Sequence, residues 1–139
     1  MSIESIRWVM LCGLVAVLLS VACEDTTEVS GPDSVLLKEW AIELGAPERA
    51  PGSVDFQVQN IGTMDHEVVV IRSDLAPEKL PVSGGTVDLN QLDVVGEKEN
   101  IERREKTSLS VTLTPGSYIF ICNVSGHYAL GMRSGLLVK

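Results

Sequence analysis

The sequence predicts an all-β protein, an antiparallel β-sandwich of about seven strands, on three observations. Apolar and polar residues alternate at period two along much of the chain, short apolar runs rich in β-branched and aromatic residues mark strands buried on both faces, and glycine- or proline-bearing turns separate them. With 139 residues, 45% of them hydrophobic and 22% charged, the chain fits one domain with enough apolar side chains for a core. That composition excludes both a multidomain enzyme and a disordered chain.

From the N-terminus, residues 8–22 form a nearly unbroken apolar stretch behind Arg7. It falls short of the roughly 20 residues that a membrane-spanning helix needs, so it reads as a secretory signal. The stretch closes on Leu19-Ser20-Val21-Ala22-Cys23, which resembles a bacterial lipobox. Residues 1–22 are therefore expected to be a lipoprotein-type signal peptide, with Cys23 as the lipidated residue. Ser20 stands where that motif usually has Leu, and Glu4 leaves the n-region weakly basic; ordinary cleavage and a retained anchor are the alternatives. Residues 23–34 are polar and aperiodic, as befits a flexible tether, and the domain is expected over residues 35–139.

Within the domain, Trp40, Ile42 and Leu44 alternate with Ala41 and Glu43; Val54, Phe56 and Val58 with Asp55, Gln57 and Gln59; and Leu109, Val111 and Leu113 with Ser108, Ser110 and Thr112. Each pattern predicts a half-buried strand. The continuous runs at 67–71 and 118–122 predict central strands, and residues 135–138 the last one. Turns are expected at Ala50-Pro51-Gly52, Asn60-Ile61-Gly62, Ser83-Gly84-Gly85 and Thr114-Pro115-Gly116. Residues 73–107 break the pattern: apolar positions are sparse, and eight of the ten residues from 97 to 106 are charged. A solvated excursion is expected there, with a short helix around residues 89–95 and a docking surface as its alternative use.

A net charge of −8, from 11 Lys and Arg against 19 Asp and Glu, argues against binding nucleic acid or anionic headgroups through a basic surface. Partners steered by charge would be cationic. Once Cys12 and Cys23 are assigned to the targeting segment, Cys122 is the only thiol left, so no disulfide can form within the domain. An unpaired thiol in an oxidising compartment is a liability unless something occupies it, and a metal is a common occupant.

Cys122, His127 and Met132 are spaced C-x4-H-x4-M directly after one buried strand, and the chain's other histidine, His66, directly precedes the other. A sandwich gathers such strand ends at one pole. Two imidazoles and a thiolate in a trigonal plane, with a weak axial thioether, are the donor set of a mononuclear electron-transfer copper site. Thiolate and thioether favour Cu(I), imidazole suits both states, and a trigonal arrangement compromises between the two preferred geometries. Zinc prefers a tetrahedral set without thioether, and iron–sulfur clusters need more thiolates than this chain owns. Met64 is the rival axial ligand, and a catalytic Cys122/His127 pair is an alternative that leaves His66 and Met132 unused. Asn123-Val124-Ser125 also spells a glycosylation sequon, which beside a ligand cysteine reads as coincidence.

The combination of Asn60-Ile61-Gly62-x3-His66 with Gly116-Ser117-Tyr118-x3-Cys122-x4-His127-x4-Met132 resembles the blue (type 1) copper proteins, the cupredoxins, and in its loop lengths the sulfocyanin- and rusticyanin-like members. The resemblance covers residues 35–139. It implies a Greek-key sandwich, one Cu(I)/Cu(II) ion on His66, Cys122, His127 and Met132, and an electron route through the edge of His127 with Tyr128, Ala129 and Leu130 on its rim. Many members have an Asn after the first ligand His that ties the two ligand loops together. Here Glu67 stands instead, and its carboxylate is expected to accept from the Asn123 amide as a brace around the ligands.

The expected function is a one-electron carrier, not an enzyme: a monomer held by a lipid anchor at the extracytoplasmic or periplasmic face, exchanging electrons with redox proteins of the cell envelope. Copper storage or delivery by the same ligands is the alternative. A copper enzyme would need further histidines, and both are already used.

Overall fold

The computed structural model describes residues 27–139; the expected signal peptide, Cys23 and the first part of the tether lie outside the described residues. In chain order the strands are β1 (Ser34–Lys38), β2 (Ala41–Leu44), β3 (Glu48–Arg49), β4 (Gly52–Asn60), β5 (His66–Arg72), β6 (Val82–Ser83), β7 (Thr86–Val87), β8 (Asp93–Ile101), β9 (Lys106–Leu113), β10 (Gly116–Ile121) and β11 (Arg133–Val138). A 3-10 turn, Leu89–Gln91, precedes β8, and a single α-helical turn, α1 (His127–Leu130), precedes β11.

Two sheets face each other, one ordered β2-β1-β4-β9 and the other β3-β11-β10-β5-β8, with β6-β7 as a separate hairpin. This is the expected sandwich. Most neighbours are antiparallel, but β1 with β4 and β3 with β11 run parallel. Period-two alternation reports which face of a strand is buried and says nothing of its neighbour's direction, so the sequence alone could not show this.

The core lies between the sheets. Val35, Leu37, Val54, Phe56 and Val58 from one sheet meet Val68, Val70, Tyr118, Phe120 and Leu136 from the other. A second cluster forms on the outer face of the five-stranded sheet, where Val69, Ile71, Ile119 and Ile121 pack under Leu80, Val87 and Tyr128. Alternate residues of β5 and β10 thus enter different clusters, which is why both strands read as continuous apolar runs.

That second cluster corrects the expectation for residues 73–107. The stretch is not a solvated excursion: Leu80 and Val87 are buried in it, and Leu89 and Leu92 pack against them. The expected helix shrinks to Leu89–Gln91, capped where the Asp88 carboxylate accepts the Asn90 N–H, and β8 follows at once. β8 escaped the sequence reading because it is an edge strand, where charges such as Glu97, Lys98 and Glu99 are tolerated and also discourage pairing with another chain. β1 was missed too, and Trp40, expected inside a strand, occupies the turn between β1 and β2.

Candidate metal centre

Two connections meet at one pole, the link from β4 to β5 and the span from β10 to β11. His66 opens β5, Cys122 follows β10, His127 opens α1 and Met132 precedes β11; all four are buried. Nδ1 of His66 lies 3.2 Å from Nδ1 of His127, and Cys122 Sγ lies 3.9 Å from the first nitrogen and 3.5 Å from the second. These three residues offer ligand atoms within 4.8 Å of one another. The sequence had placed them 61 and 56 residues apart along the chain, and the fold joins them.

The local sequence explains the placement. Segment 122–132 closes on itself: Cys122 N–H donates to Met132 O at 3.1 Å, and Met132 N–H to His127 O at 3.1 Å. Gly126 and Gly131 bracket α1, and Gly131, at a φ of 125°, sits so close to the Trp40 carbonyl that a Cβ would lie 2.8 Å from its oxygen. No other residue suits that position. Met132 is fully buried, whereas Met64 is 44% exposed, so the rival thioether faces solvent.

Loop 61–65 is held by Asn60. Its amide donates to Met64 O at 2.7 Å and to Ile101 O at 3.0 Å and accepts the Gly62 N–H at 2.9 Å. On the other side, Glu39 Oε1 accepts the N–H groups of Thr63 at 2.8 Å and Met64 at 3.0 Å and lies 3.2 Å from His66 Nε2. In the sequence Asn60 appeared as a turn residue and as the start of the segment leading to His66, with no sign of these three bonds. Glu39 gave no signal, because a charged residue between two strands looks like any turn, and Trp40 gave a misleading one, since its alternation with Ile42 and Leu44 reads as a strand.

The brace between Glu67 and Asn123 takes a different form from the one expected. The Asn123 amide is spent on β7, with Oδ1 accepting Val87 N–H at 2.6 Å and Nδ2 donating to Val87 O at 3.1 Å. It is the Asn123 backbone N–H that meets the Glu67 carboxylate, while the Glu67 N–H donates to Cys122 Sγ at 3.4 Å. The same pairing withdraws the sequon's side chain from the surface. Tyr128 also departs from expectation: it is buried in the second cluster, its hydroxyl donating to Pro77 O at 2.8 Å and accepting Leu80 N–H at 3.0 Å. Leu130 is exposed, together with Ala129, and the Trp40 ring meets His127 edge-on with centroids 5.2 Å apart.

Burial sets the electrostatics. It pushes the Cys122 thiol up, against the N–H groups of Glu67 and Val124, which favour the thiolate. It pushes His127 down, with His66 adding to the effect and Glu39 opposing it, so the ring is offered neutral. Burial also raises Glu67, helped by Glu99 and Glu97. Desolvation works to raise Glu39 as well, but the N–H groups of Thr63 and Met64 and the His66 ring outweigh it and hold the carboxyl at about 2. Two imidazole nitrogens and one thiol sulfur, all on buried residues, converge on a common point, which is what a cation would require.

No protein-family model and no curated protein matches the chain. Its fold is that of solved cupredoxin structures. Dithionite-reduced auracyanin from Roseiflexus castenholzii matches with a TM-score of 0.57 at 16% identity, over 76% of this chain and 94% of that one. Auracyanin A from Chloroflexus aurantiacus, described as a blue copper protein, matches with a TM-score of 0.52 at 18% identity, over 76% and 99%. A reduced rusticyanin matches with a TM-score of 0.52 at 18% identity, over 78% and 86%.

Proposed function

We propose that the chain binds one copper ion through His66, Cys122 and His127, with Met132 as a weak fourth ligand, and works as a one-electron carrier of the cell envelope. The convergence of two imidazole Nδ1 atoms and one thiol sulfur within 4.8 Å carries this reading. The donor chemistry fits copper: soft sulfur and borderline nitrogen, with three close donors among the described residues and the buried Met132 in the same span as two of them.

Copper held there supplies a one-electron Cu(I)/Cu(II) couple. The chain's own residues do the rest. The two sheets fix the donors before any ion arrives, so little has to move when charge changes. Cys122 gives up its proton on binding, and the Glu67 N–H stabilises the resulting thiolate. Burial of all four side chains keeps water from competing for the ion. Exposed Trp40, Met64 and Leu130 offer apolar surface to a redox partner at the same pole. The signal-like residues 8–22, Cys23 and the fold shared with auracyanin and rusticyanin support export and a lipid anchor outside the cytoplasmic membrane.

The test is to produce residues 24–139, add Cu(II), and record visible absorption for the protein and for Cys122→Ser. An intense blue or green band that is lost in the variant and bleaches reversibly on reduction is expected. A colourless protein would refute the copper reading; rapid loss of Cu(I) to an acceptor chelator would turn it toward copper delivery.

A further inference from the structure

Glu39 belongs to the turn between β1 and β2, on the sheet opposite β5, yet its side chain reaches across to loop 61–65. One oxygen, Oε1, gathers the N–H groups of Thr63 and Met64 and the Nε2 edge of His66, at 2.8, 3.0 and 3.2 Å. The loop is shaped around it: a Cβ on Gly62 would strike the Glu39 carboxylate. The opposite edge of the same imidazole presents Nδ1 to Cys122 and His127. A neutral imidazole has one proton, and a ring that donates from Nε2 keeps its lone pair on Nδ1. A carboxylate at that N–H also makes the ligating nitrogen more basic, which favours the more highly charged ion.

We propose that Glu39 is a positioning residue of the centre: it fixes His66 as the Nε2-protonated tautomer and biases bound copper toward Cu(II). The second half rests on the copper reading above; the first does not. If Glu39 were only a staple for the loop, glutamine would replace it without consequence, since its oxygen can accept the same three hydrogen bonds while carrying no charge.

The experiment uses the full chain and its Glu39→Gln and Glu39→Ala variants. In the metal-free wild type, nitrogen-15 NMR of the His66 ring is expected to find the proton on Nε2; a proton on Nδ1 would overturn the tautomer assignment whatever the variants do. With copper added, Glu39→Gln is expected to keep the coloured band, to lose about 10–100-fold in Cu(II) affinity and less in Cu(I) affinity, and so to show a raised reduction potential. Glu39→Ala is expected to shift in the same direction and further, having lost the hydrogen bonds as well. A coloured Glu39→Gln protein with the wild-type ratio of Cu(II) to Cu(I) affinity and an unchanged potential would overturn the bias toward Cu(II). A wild type that never takes up colour would instead overturn the copper reading, leaving the NMR result to decide the tautomer.

Discussion

Replacing Asn60 by Ala should destabilise the metal-free protein by about 3 kcal/mol. The side chain is fully buried and makes three hydrogen bonds, to Gly62 N–H, Ile101 O and Met64 O. Gly62 and Ile101 are themselves buried, so truncation strands one donor and one acceptor away from water, at about 1–3 kcal/mol each. Met64 is exposed and its carbonyl can turn to solvent, so the third bond adds little. Against a total stability of about 5–15 kcal/mol, the loss is a large share. It corresponds to a fall in Tm of roughly 12–24 °C, at about 4–8 °C per kcal/mol for a domain near this size. Asn60→Asp should be at least as harmful, since it turns a carboxylate oxygen toward two carbonyls. Urea unfolding followed by tryptophan fluorescence and circular dichroism measures both variants. A loss below about 1 kcal/mol for Asn60→Ala would refute the reasoning, because it would mean that the stranded groups find other partners.

Three further outcomes are expected. Tyr128→Phe removes the acceptor of the Leu80 N–H and should cost about 1–3 kcal/mol in chemical denaturation; an unchanged midpoint would show that residues 77–80 are not fastened through this hydroxyl. Copper at about 1,000 times its dissociation constant should stabilise the protein by about 4 kcal/mol, read as a rise in Tm that a chelator reverses, and no rise would contradict binding to the folded state. The Asn90 side chain and backbone N–H, opposed by slight desolvation and helped by Gln91, hold the Asp88 carboxyl below its ordinary value. A depressed carboxyl stabilises the fold above its unfolded-state value, and that contribution fades as pH falls through the folded one. Asp88→Asn should therefore flatten the acid limb of the stability curve; two superimposable limbs would show that the cap does not titrate with folding.

The fold and centre were unevenly legible in the sequence. β4, β9 and β10 could be read because each buries alternate or all side chains, and hydrophobic periodicity records burial. β8 could not, since at a sheet edge its stability comes from backbone pairing with β5, which leaves little trace in side-chain chemistry. His66, Cys122 and His127 were legible because metal-binding side chains are rare in this chain and cluster at strand ends. Glu39 and Asn60 act through hydrogen bonds to backbone atoms, and a carboxylate or amide in a turn has the same appearance whether it meets water or a loop. Tyr128 was put on the wrong side because the resemblance that placed it on the rim rests on motif spacing, whereas the direction of a side chain on a one-turn helix depends on what covers it, here residues 77–80.

The hydrogen bond between Cys122 and Met132 makes the two ends of one connection neighbours in space. β10 and β11 therefore stay in register however many residues intervene, and the span can grow or shrink without disturbing either sheet. What would have to be renegotiated is its lashing at Asn123, Gly126 and Tyr128 to the segment that overlies it. For the sheets, then, the length of this span is a free dimension that only its ligands and its lashing constrain, while the short link from Asn60 to His66 is gripped from two sides.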